Sequence, residues 1–566
     1  MTSPRARWRA VGRAGGGIRL GEIDAAGRLR DERDARAADL AAEVAADPEA
    51  RWVWSDTGSW YPQLLAAGVR VARCHDLRLC HAILRSSVLV GDDASTLREA
   101  TAWDEPPPEP DGRGQALFDL DGSAAGVPHD LREVAAEFAR QNAALEGASE
   151  PARLRLLLAA ESAGALVAAE MHAAGVPWSR GVHDGILTQA LGPRPRTGEL
   201  PARLAALAEE VRAALGDAGA SLDSQPRLLR SLHRAGVFVD STSRWELARH
   251  EHPVVAPLLA YKKAMRLLTA NGWAWMDEWI PRDRFRPVYV PGGVVTGRWA
   301  SSGGGALQLP RLLRPAVRAD PGWRLVVADV AQLEPRILAA MAGDLALADA
   351  ARGTDLYAGI VSRGILPTRQ DAKMALLGAM YGATTGDSGR LVPVLRRAYP
   401  RAMGLVDAAA RTGESGGVVR TVLGRSSPRP SEAWRDVQSG ASDEGADERT
   451  AAAARSFARE RGRFTRNFIV QGTAAEWALA WLADVRTRLA ALPSATSGSP
   501  ADGVADRAHL AFFLHDEIIV HTPEEQVDAA VAAVRDAAAT AGRLLFGGFP
   551  IDFRLDLRVS ESADKD

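Results

Sequence analysis

The sequence predicts an α+β protein of several domains, and three observations carry that expectation. At 566 residues the chain is too long for one hydrophobic core and fits three or four domains. Residues 146–270 are strongly helical in pattern, whereas later apolar runs have strand character. Two of those runs meet carboxylates: Asp329 closes Leu325-Val326-Val327-Ala328, and Asp516-Glu517 interrupt the run from Ala511 to Val520. An ionised group at a strand tip between buried residues is costly unless a cation or partner compensates it. Strand tips are also rigid enough to build a two-metal site.

The elements follow in order. Residues 1–145 alternate strand-like pieces (Trp52-Val53-Trp54 and Val69-Arg70-Val71) with helical stretches such as Asp34 to Val44, predicting a small α/β domain. The run Pro106 to Gly112 marks a turn or linker. Between 146 and 285, apolar residues recur at helix spacing over Leu154 to Met171, Leu200 to Leu215 and Val255 to Leu268, with a capping region at 221–226. Residues 286–345 are strand-rich and then helical, 346–460 mostly helical, and 461–566 return to helix and strand. A final helix is expected over Glu524 to Ala539 and a strand over Ile551 to Val559. Ser426 to Glu448 and Pro493 to Gly503 read as poorly ordered surface insertions.

Composition bounds the class. With 46% hydrophobic and 25% charged residues the chain is of globular type. No segment has the apolar run of a signal peptide or membrane span, so a cytoplasmic protein without membrane contact is expected. Two cysteines, Cys74 and Cys80, exclude a disulfide framework and a cysteine zinc site. The net charge of -2 neither indicates nor excludes nucleic acid. Of 69 basic residues only four are lysine, and Lys373 stands within a helical segment.

The chemistry concentrates around the two carboxylate runs. After Asp329 come Gln332, Glu334 and Arg336, so a strand-to-helix transition leaves Glu334 in an early helical turn. Asp329 and Asp516 could share two metals about 3.5–4 Å apart. Hard oxygen ligands with retained waters indicate Mg²⁺ rather than zinc. Arg369, Lys373, Leu377 and Tyr381 repeat every four residues and drift slowly around one helical face. Its cationic end suits phosphates, and its apolar and aromatic end suits a base and sugar. Arg463, Asn467 and Gln471 repeat that spacing with groups that suit base edges. Thr296-Gly297-Arg298, with Ser301, Ser302 and Gln308, forms a glycine-containing turn with phosphate-contacting donors. Alone, a strand-end Asp reads more often as a cap or turn and the Arg369 helix more often as solvated surface, while the last two segments read equally well as polar surface; together they read as a nucleotidyl-transfer site.

These motifs resemble the bacterial polymerase I family (family A) of DNA polymerases, in its Klenow-like portion. The likeness rests on Asp329 to Arg336, on Arg369–Lys373–Tyr381-Gly382 and on His515-Asp516-Glu517. It is strongest from about 286 to the end, and extends more loosely from 151 through Glu170-Met171, Gly175-Val176, Ser221 to Leu229 and Tyr261-Lys262-Lys263. The resemblance implies a right-hand polymerase: thumb at 146–285, palm at 286–345 and 461–566, and fingers at 346–460. A ribonuclease H-like, exonuclease-like domain would precede it at 1–145. It further implies that Asp329 and Asp516 hold two Mg²⁺ ions (Mn²⁺ as substitute), with Glu517 supporting them. Arg369 and Lys373 would hold the triphosphate, with Lys373 a candidate general acid. Glu334 and Tyr381 would exclude a 2′-hydroxyl, with Gln332, Leu377 and Tyr357 also in the nucleotide site. Arg298, Gln308, Arg463, Asn467, Gln471 and His515 would contact primer-template DNA. The implied partners are primer-template DNA and deoxynucleoside triphosphates, and the implied form is a nucleoid-associated monomer active in replication and repair.

The sequence also departs from the family. Leu377 replaces a ring in the second motif, Ala331 and Pro335 replace a usual Ser and Leu, and Tyr357 stands where a His is general. No Asp-x-Glu pair sits on an apolar strand in 1–145, so the exonuclease-like domain is expected to be inactive, with His75-Asp76 at most a remnant. From the length, the family's 5′-nuclease domain is not expected. The alternatives are a polymerase that retains 3′–5′ exonuclease activity, an RNA-synthesising relative (disfavoured by Glu334), and a non-catalytic primer-template binder.

Overall fold

The computed structural model describes residues 8–15, 17–91, 95–99, 101–105, 126–196, 198–353, 355–382, 386–441, 447–495 and 503–564. The chain divides into two compact units. The first comprises Met1–Ala174, Pro287–Leu307 and Gly322–Ser560; the second comprises Gly175–Arg286, Gln308–Pro321 and Glu561–Asp566.

The first unit begins with strands β1 (Trp8–Ala14), β2 (Gly17–Ile23), β3 (Leu29–Ala35), β4 (Arg51–Trp54) and β5 (Arg73–Asp76), in the order β3-β2-β1-β4-β5. β1 to β3 form an antiparallel meander; β4 pairs parallel to β1 and β5 parallel to β4. Parallel pairing needs crossovers, and the helices Ala37–Ala46 and Thr57–Ala66 supply them. Strand alternation fills both faces: Trp52 and Trp54 pack with Leu40, Tyr61 and Leu166, while Val53 joins Leu77 and Phe138 on the other side. Two expected elements shift. Asp34 belongs to β3, so the helix begins at Ala37. Val69-Arg70-Val71 is no strand, because Arg70 bonds Glu170 and the Val71 carbonyl is taken by Arg486 instead of a ladder. The helix Pro151–Ala174 closes this region.

The second unit is helical. Arg180–Leu191, Ala202–Leu215, Gln225–Arg234 and Val255–Asn271 are its main helices, and Leu204, Val211, Leu232, Leu258 and Tyr261 are in its core. The expected capping region at 221–226 is the start of the Gln225–Arg234 helix, with Ser224 at the N-cap and Pro226 in the first turn. Short strands β6 (Val176–Pro177) and β7 (Arg284–Phe285) pair antiparallel beside a cluster of Trp178, His183, Trp275 and Phe285 rings.

The rest of the first unit holds a hairpin of β8 (Tyr289–Val290) and β9 (Ala300–Ser301), and an antiparallel sheet of β10 (Trp323–Val330), β11 (His509–Leu514), β12 (Glu517–Pro523) and β13 (Leu555–Ser560). The sheet order is β11-β12-β10-β13. The 43-residue helix Glu448–Ala490 packs against this sheet and along Pro400–Glu414. Close approach of those helices depends on Gly413, where a Cβ would stand 2.1 Å from Thr465 Oγ1. The expected final helix runs Val527–Phe546 and the last strand Leu555–Ser560, both a few residues later than predicted. Ser426 to Glu448 is more ordered than its composition implied. Ser426 and Ser427 are buried, each accepting a backbone N–H, and Glu432–Gly440 is a helix capped by Ser431. Residues 442–446 and 496–502 of the two expected insertions lie outside the described residues. Among the described residues no helix is long and apolar enough to cross a membrane.

Candidate active site

The sheet register builds the acidic centre. Asp329, next to last in β10, stands opposite Glu517 of β12 on one side and Asp556 of β13 on the other. Three acids in one cross-strand row repel one another unless a cation or hydrogen bonds intervene. The hairpin from β11 to β12 turns at His515-Asp516, with His515 in the left-handed region (φ 57°). The Val330 N–H donates to the Asp516 carbonyl at 2.9 Å, which ties the two strand tips together. Burial, and then the Asp329 charge, push the Asp516 carboxyl up to about 6. Among the described residues no three His, Cys, Asp or Glu side chains converge as a closed metal cage. The donors on the adjacent strand tips are hard carboxylate oxygens. That fits divalent Mg²⁺.

The cleft beside this centre is lined by Arg298, Gln332, Glu334, Tyr357, Leu377, Tyr381, His515 and Asp516, with Ala474 and Ala475 beneath. Gln332 is the N-cap of the Leu333–Ala342 helix in left-handed conformation (φ 51°), which puts Glu334 in the first turn. Tyr381 ends the Arg369–Tyr381 helix, and its hydroxyl donates to Glu334 at 2.5 Å. Arg298 bonds the other Glu334 oxygen. Burial and then Glu334 hold the Tyr381 phenol well above its usual range, so it stays a donor. The His515 imidazole is lowered, first by burial and then by Arg298.

Arg369 and Lys373 lie on earlier turns of the Tyr381 helix, both exposed. Arg369 bonds Asp355 at 2.7 and 3.2 Å and sits 5.5 Å above the Tyr357 ring. Burial and then Asp355 raise the Tyr357 phenol to about 12. Arg463, Asn467 and Gln471 share a face of the Glu448–Ala490 helix. Gln471 hydrogen-bonds Tyr381, and Arg463 packs over Gly382, where a Cβ would stand 2.9 Å from it. The Asn467 Oδ1 is buried without a hydrogen-bond partner. The Gln308 side chain lies outside the described residues.

Two participants escaped sequence reasoning. Asp355 receives the Gln332 amide at 3.0 Å as well as Arg369, joining two cleft elements. Its spacing gave one signal, an acid two residues before Tyr357. Asp556 faces Asp329 only through strand register, and no local pattern announces it.

The model of DNA polymerase family A matches residues 225–562. DNA polymerase I of Chloroflexus aurantiacus is 29% identical over 349 residues, 57% of this chain and 34% of that protein. The thermostable DNA polymerase I of Thermus filiformis is 24% identical over 351 residues, 56% of this chain and 37% of that protein. The matches therefore span little more than a third of these relatives' length. The solved polymerase domain of Pol1 from M. smegmatis, in complex with DNA primer-template and dNTP, superposes with a TM-score of 0.68 at 18% identity, covering 99% of this chain and 96% of that one. By the family match over more than half its length, and by a fold that carries the acidic strand tips and the tyrosine-ended helix to one cleft, this chain belongs to DNA polymerase family A.

Proposed function

We propose that the chain is a template-directed DNA polymerase that adds deoxynucleotides to a primer 3′-hydroxyl and releases pyrophosphate. The observation that carries this reading is the meeting of Asp329 and Asp516 at joined strand tips, beside a cleft edged by Glu334 and Tyr381. Asp329 and Asp516 would hold two Mg²⁺ ions, which when bound activate the primer hydroxyl and neutralise the triphosphate; Mn²⁺ is the expected substitute, and Glu517 supports the pair.

The chain's own residues do the remaining work. Arg369 and Lys373 bind the triphosphate from exposed turns of one helix, and Lys373 delivers a proton to the leaving pyrophosphate. Glu334, fixed by Arg298 and Tyr381, crowds a ribose 2′-hydroxyl. Gln332, Leu377 and Tyr357 wall the nucleotide site. Arg298, Gln308, Arg463, Asn467, Gln471 and His515 hold the primer-template. In this reading 146–285 is the thumb, 286–345 and 461–566 the palm, and 346–460 the fingers. It acts as a monomer in the cytoplasm, at the nucleoid.

Primer extension on a labelled template, with deoxynucleotides and ribonucleotides in parallel, tests the proposal. Asp329→Ala and Asp516→Ala should each lower extension by about three orders of magnitude while leaving primer-template binding intact. Full extension by either variant would overturn the metal-site assignment. Equal use of ATP and dATP would favour an RNA-synthesising enzyme, and binding without extension a non-catalytic role.

The alternative that the chain also degrades 3′ ends is disfavoured by a specific observation. β1 reads Trp-Arg-Ala-Val-Gly-Arg-Ala and carries no carboxylate. Asp56 and Asp76 are engaged structurally: Asp76 accepts the Thr57 and Leu79 N–H groups, and Asp56 accepts Ser59 N–H and Arg78. Mg²⁺-dependent degradation that Asp76→Asn abolishes would reinstate that activity.

A further inference from the structure

We propose that Arg425 is a positioning residue for the polymerase site, and that the helix Pro151–Ala174 braces the site through Glu161. The proposal rests on the polymerase reading for its catalytic consequence, but its geometric core stands apart from it.

The β8–β9 hairpin carries Arg298 near its end, and it is held at three places. At its base the Tyr289 hydroxyl donates to the Phe513 carbonyl at 2.8 Å and accepts the Phe513 N–H at 3.0 Å, anchoring the hairpin to β11. Glu161 presses against Gly292, where a Cβ would stand 3.0 Å from its Oε1. Arg425 lies against Gly297, where a Cβ would stand 2.6 Å from its Nε and 2.8 Å from its Cζ. Gly297 also has φ +83°, so glycine is required there twice over.

Glu161 and Arg425 are themselves a buried ion pair, 1% and 8% exposed. Neither the Glu161 Oε1 nor the Arg425 Nε has a hydrogen-bond partner. An optimised structural pair would satisfy those atoms; here they are turned toward Gly292 and Gly297 of the hairpin. The backbone under Arg425 is also fixed. Glu476 accepts the Thr421 hydroxyl and, at 2.9 Å, the Leu423 N–H, and Thr473 Oγ1 accepts the Val422 N–H at 3.2 Å. On the other side the Glu161 helix is rooted in the N-terminal sheet: Ser162 takes the Asp76 N–H at 3.1 Å, and Leu166 is in the core beneath Trp52 and Trp54. The N-terminal sheet thus supports the arm that presents Arg298 to Glu334. A shift of about 1 Å at Gly297 would carry Arg298 with it, and misplacement on that scale costs about 10²-fold in rate.

The test uses Arg425→Gln, Arg425→Lys and Glu161→Gln in the full chain. Hydrogen–deuterium exchange over residues 294–300 should rise in Arg425→Gln and Glu161→Gln while β10 stays protected. Single-turnover incorporation per titrated active site should fall about ten- to a hundredfold in Arg425→Gln, with primer-template Kd within about threefold and partial recovery in Arg425→Lys. Unchanged exchange over 294–300 overturns the brace. Raised exchange with a per-site rate within about twofold of wild type leaves Arg425 structural and overturns the positioning role. If the wild-type chain itself extends no primer, the polymerase reading has failed, and the exchange measurement still decides the brace.

Discussion

The Tyr381 hydroxyl donates to Glu334 at 2.5 Å, joining two helices through residues 47 positions apart in sequence. With Arg298 on its other oxygen, Glu334 cannot swing out of the cleft without breaking two hydrogen bonds, one of them charge-assisted by a guanidinium. Fixing a carboxylate this way makes it a wall rather than a flexible surface acid. Glu334→Ala should therefore raise ribonucleotide incorporation relative to deoxynucleotide by about 10²-fold, measured as the ratio of kcat/KM for ATP and dATP. Tyr381→Phe keeps the Arg298 bond, so its effect should be about tenfold smaller.

Asp355 holds Arg369 and, through Gln332, ties it to the first turn after β10. A triphosphate would compete with Asp355 for the same guanidinium. The pair is solvent-accessible, so its net worth is at most about 1 kcal/mol. Asp355→Asn keeps the side-chain oxygen that caps the 356–362 helix but removes the charge. KM for the nucleotide should fall up to about fivefold with kcat unchanged. A raised KM would mean that Asp355 instead orients Arg369 for binding.

The contrast between Asp516 and Asp556 marks the limit of what the sequence discloses. Asp516 sits between two apolar runs, and that local violation of burial made it visible. Asp556 alternates with apolar residues on an ordinary half-exposed strand, and only pairing with β10 gives it a place. The same rule covers the rest. Helices with strong periodicity, such as 369–381, and the four-residue repeat at Arg463, Asn467 and Gln471 were legible because the signal is local. The strand propensity of Val69 to Val71 yields to tertiary bonds with Glu170 and Arg486, which no local pattern announces. The order in 426–440 was hidden because a polar composition says nothing of Ser426 and Ser427 serving as buried acceptors.

Glu170 joins the N-terminal region to the Glu448–Ala490 helix. Its carboxylate accepts Tyr61 at 2.5 Å, Arg70 at 2.6 Å and Arg486 at 2.7 Å. Burial alone would raise its pKa, but Arg486 and Arg70 outweigh it and hold the group at about 2. A folded pKa below the unfolded value contributes stability above about pH 4.5, lost as pH falls toward 2, on the order of 3 kcal/mol. Glu170→Gln should cost about 3–5 kcal/mol at pH 7 by stranding two guanidiniums. Urea denaturation should show that cost shrinking as pH drops from 5 to 2.5; a pH-independent difference would assign it to lost packing.

Glu476 is the opposite case on the same helix. It is fully buried, and burial raises its carboxyl to about 7 despite hydrogen bonds from Thr421 and Leu423 and the nearby Arg425 charge. A folded pKa above the unfolded one favours the protonated folded form. The associated stability is complete below about pH 4.5 and lost as pH rises through 7, again on the order of 3 kcal/mol. Glu476→Gln cannot ionise, so its stability should lack this decline. The variant should be close to wild type in stability at pH 5, where the protonated carboxyl and the amide each offer one acceptor to the Leu423 N–H and one donor to the Thr421 hydroxyl oxygen, and should be the more stable of the two by pH 8. Parallel urea curves at both pH values check this. A gap that stays constant would mean Glu476 keeps one protonation state throughout, with a neighbouring cation stronger than Arg425 alone holding it charged.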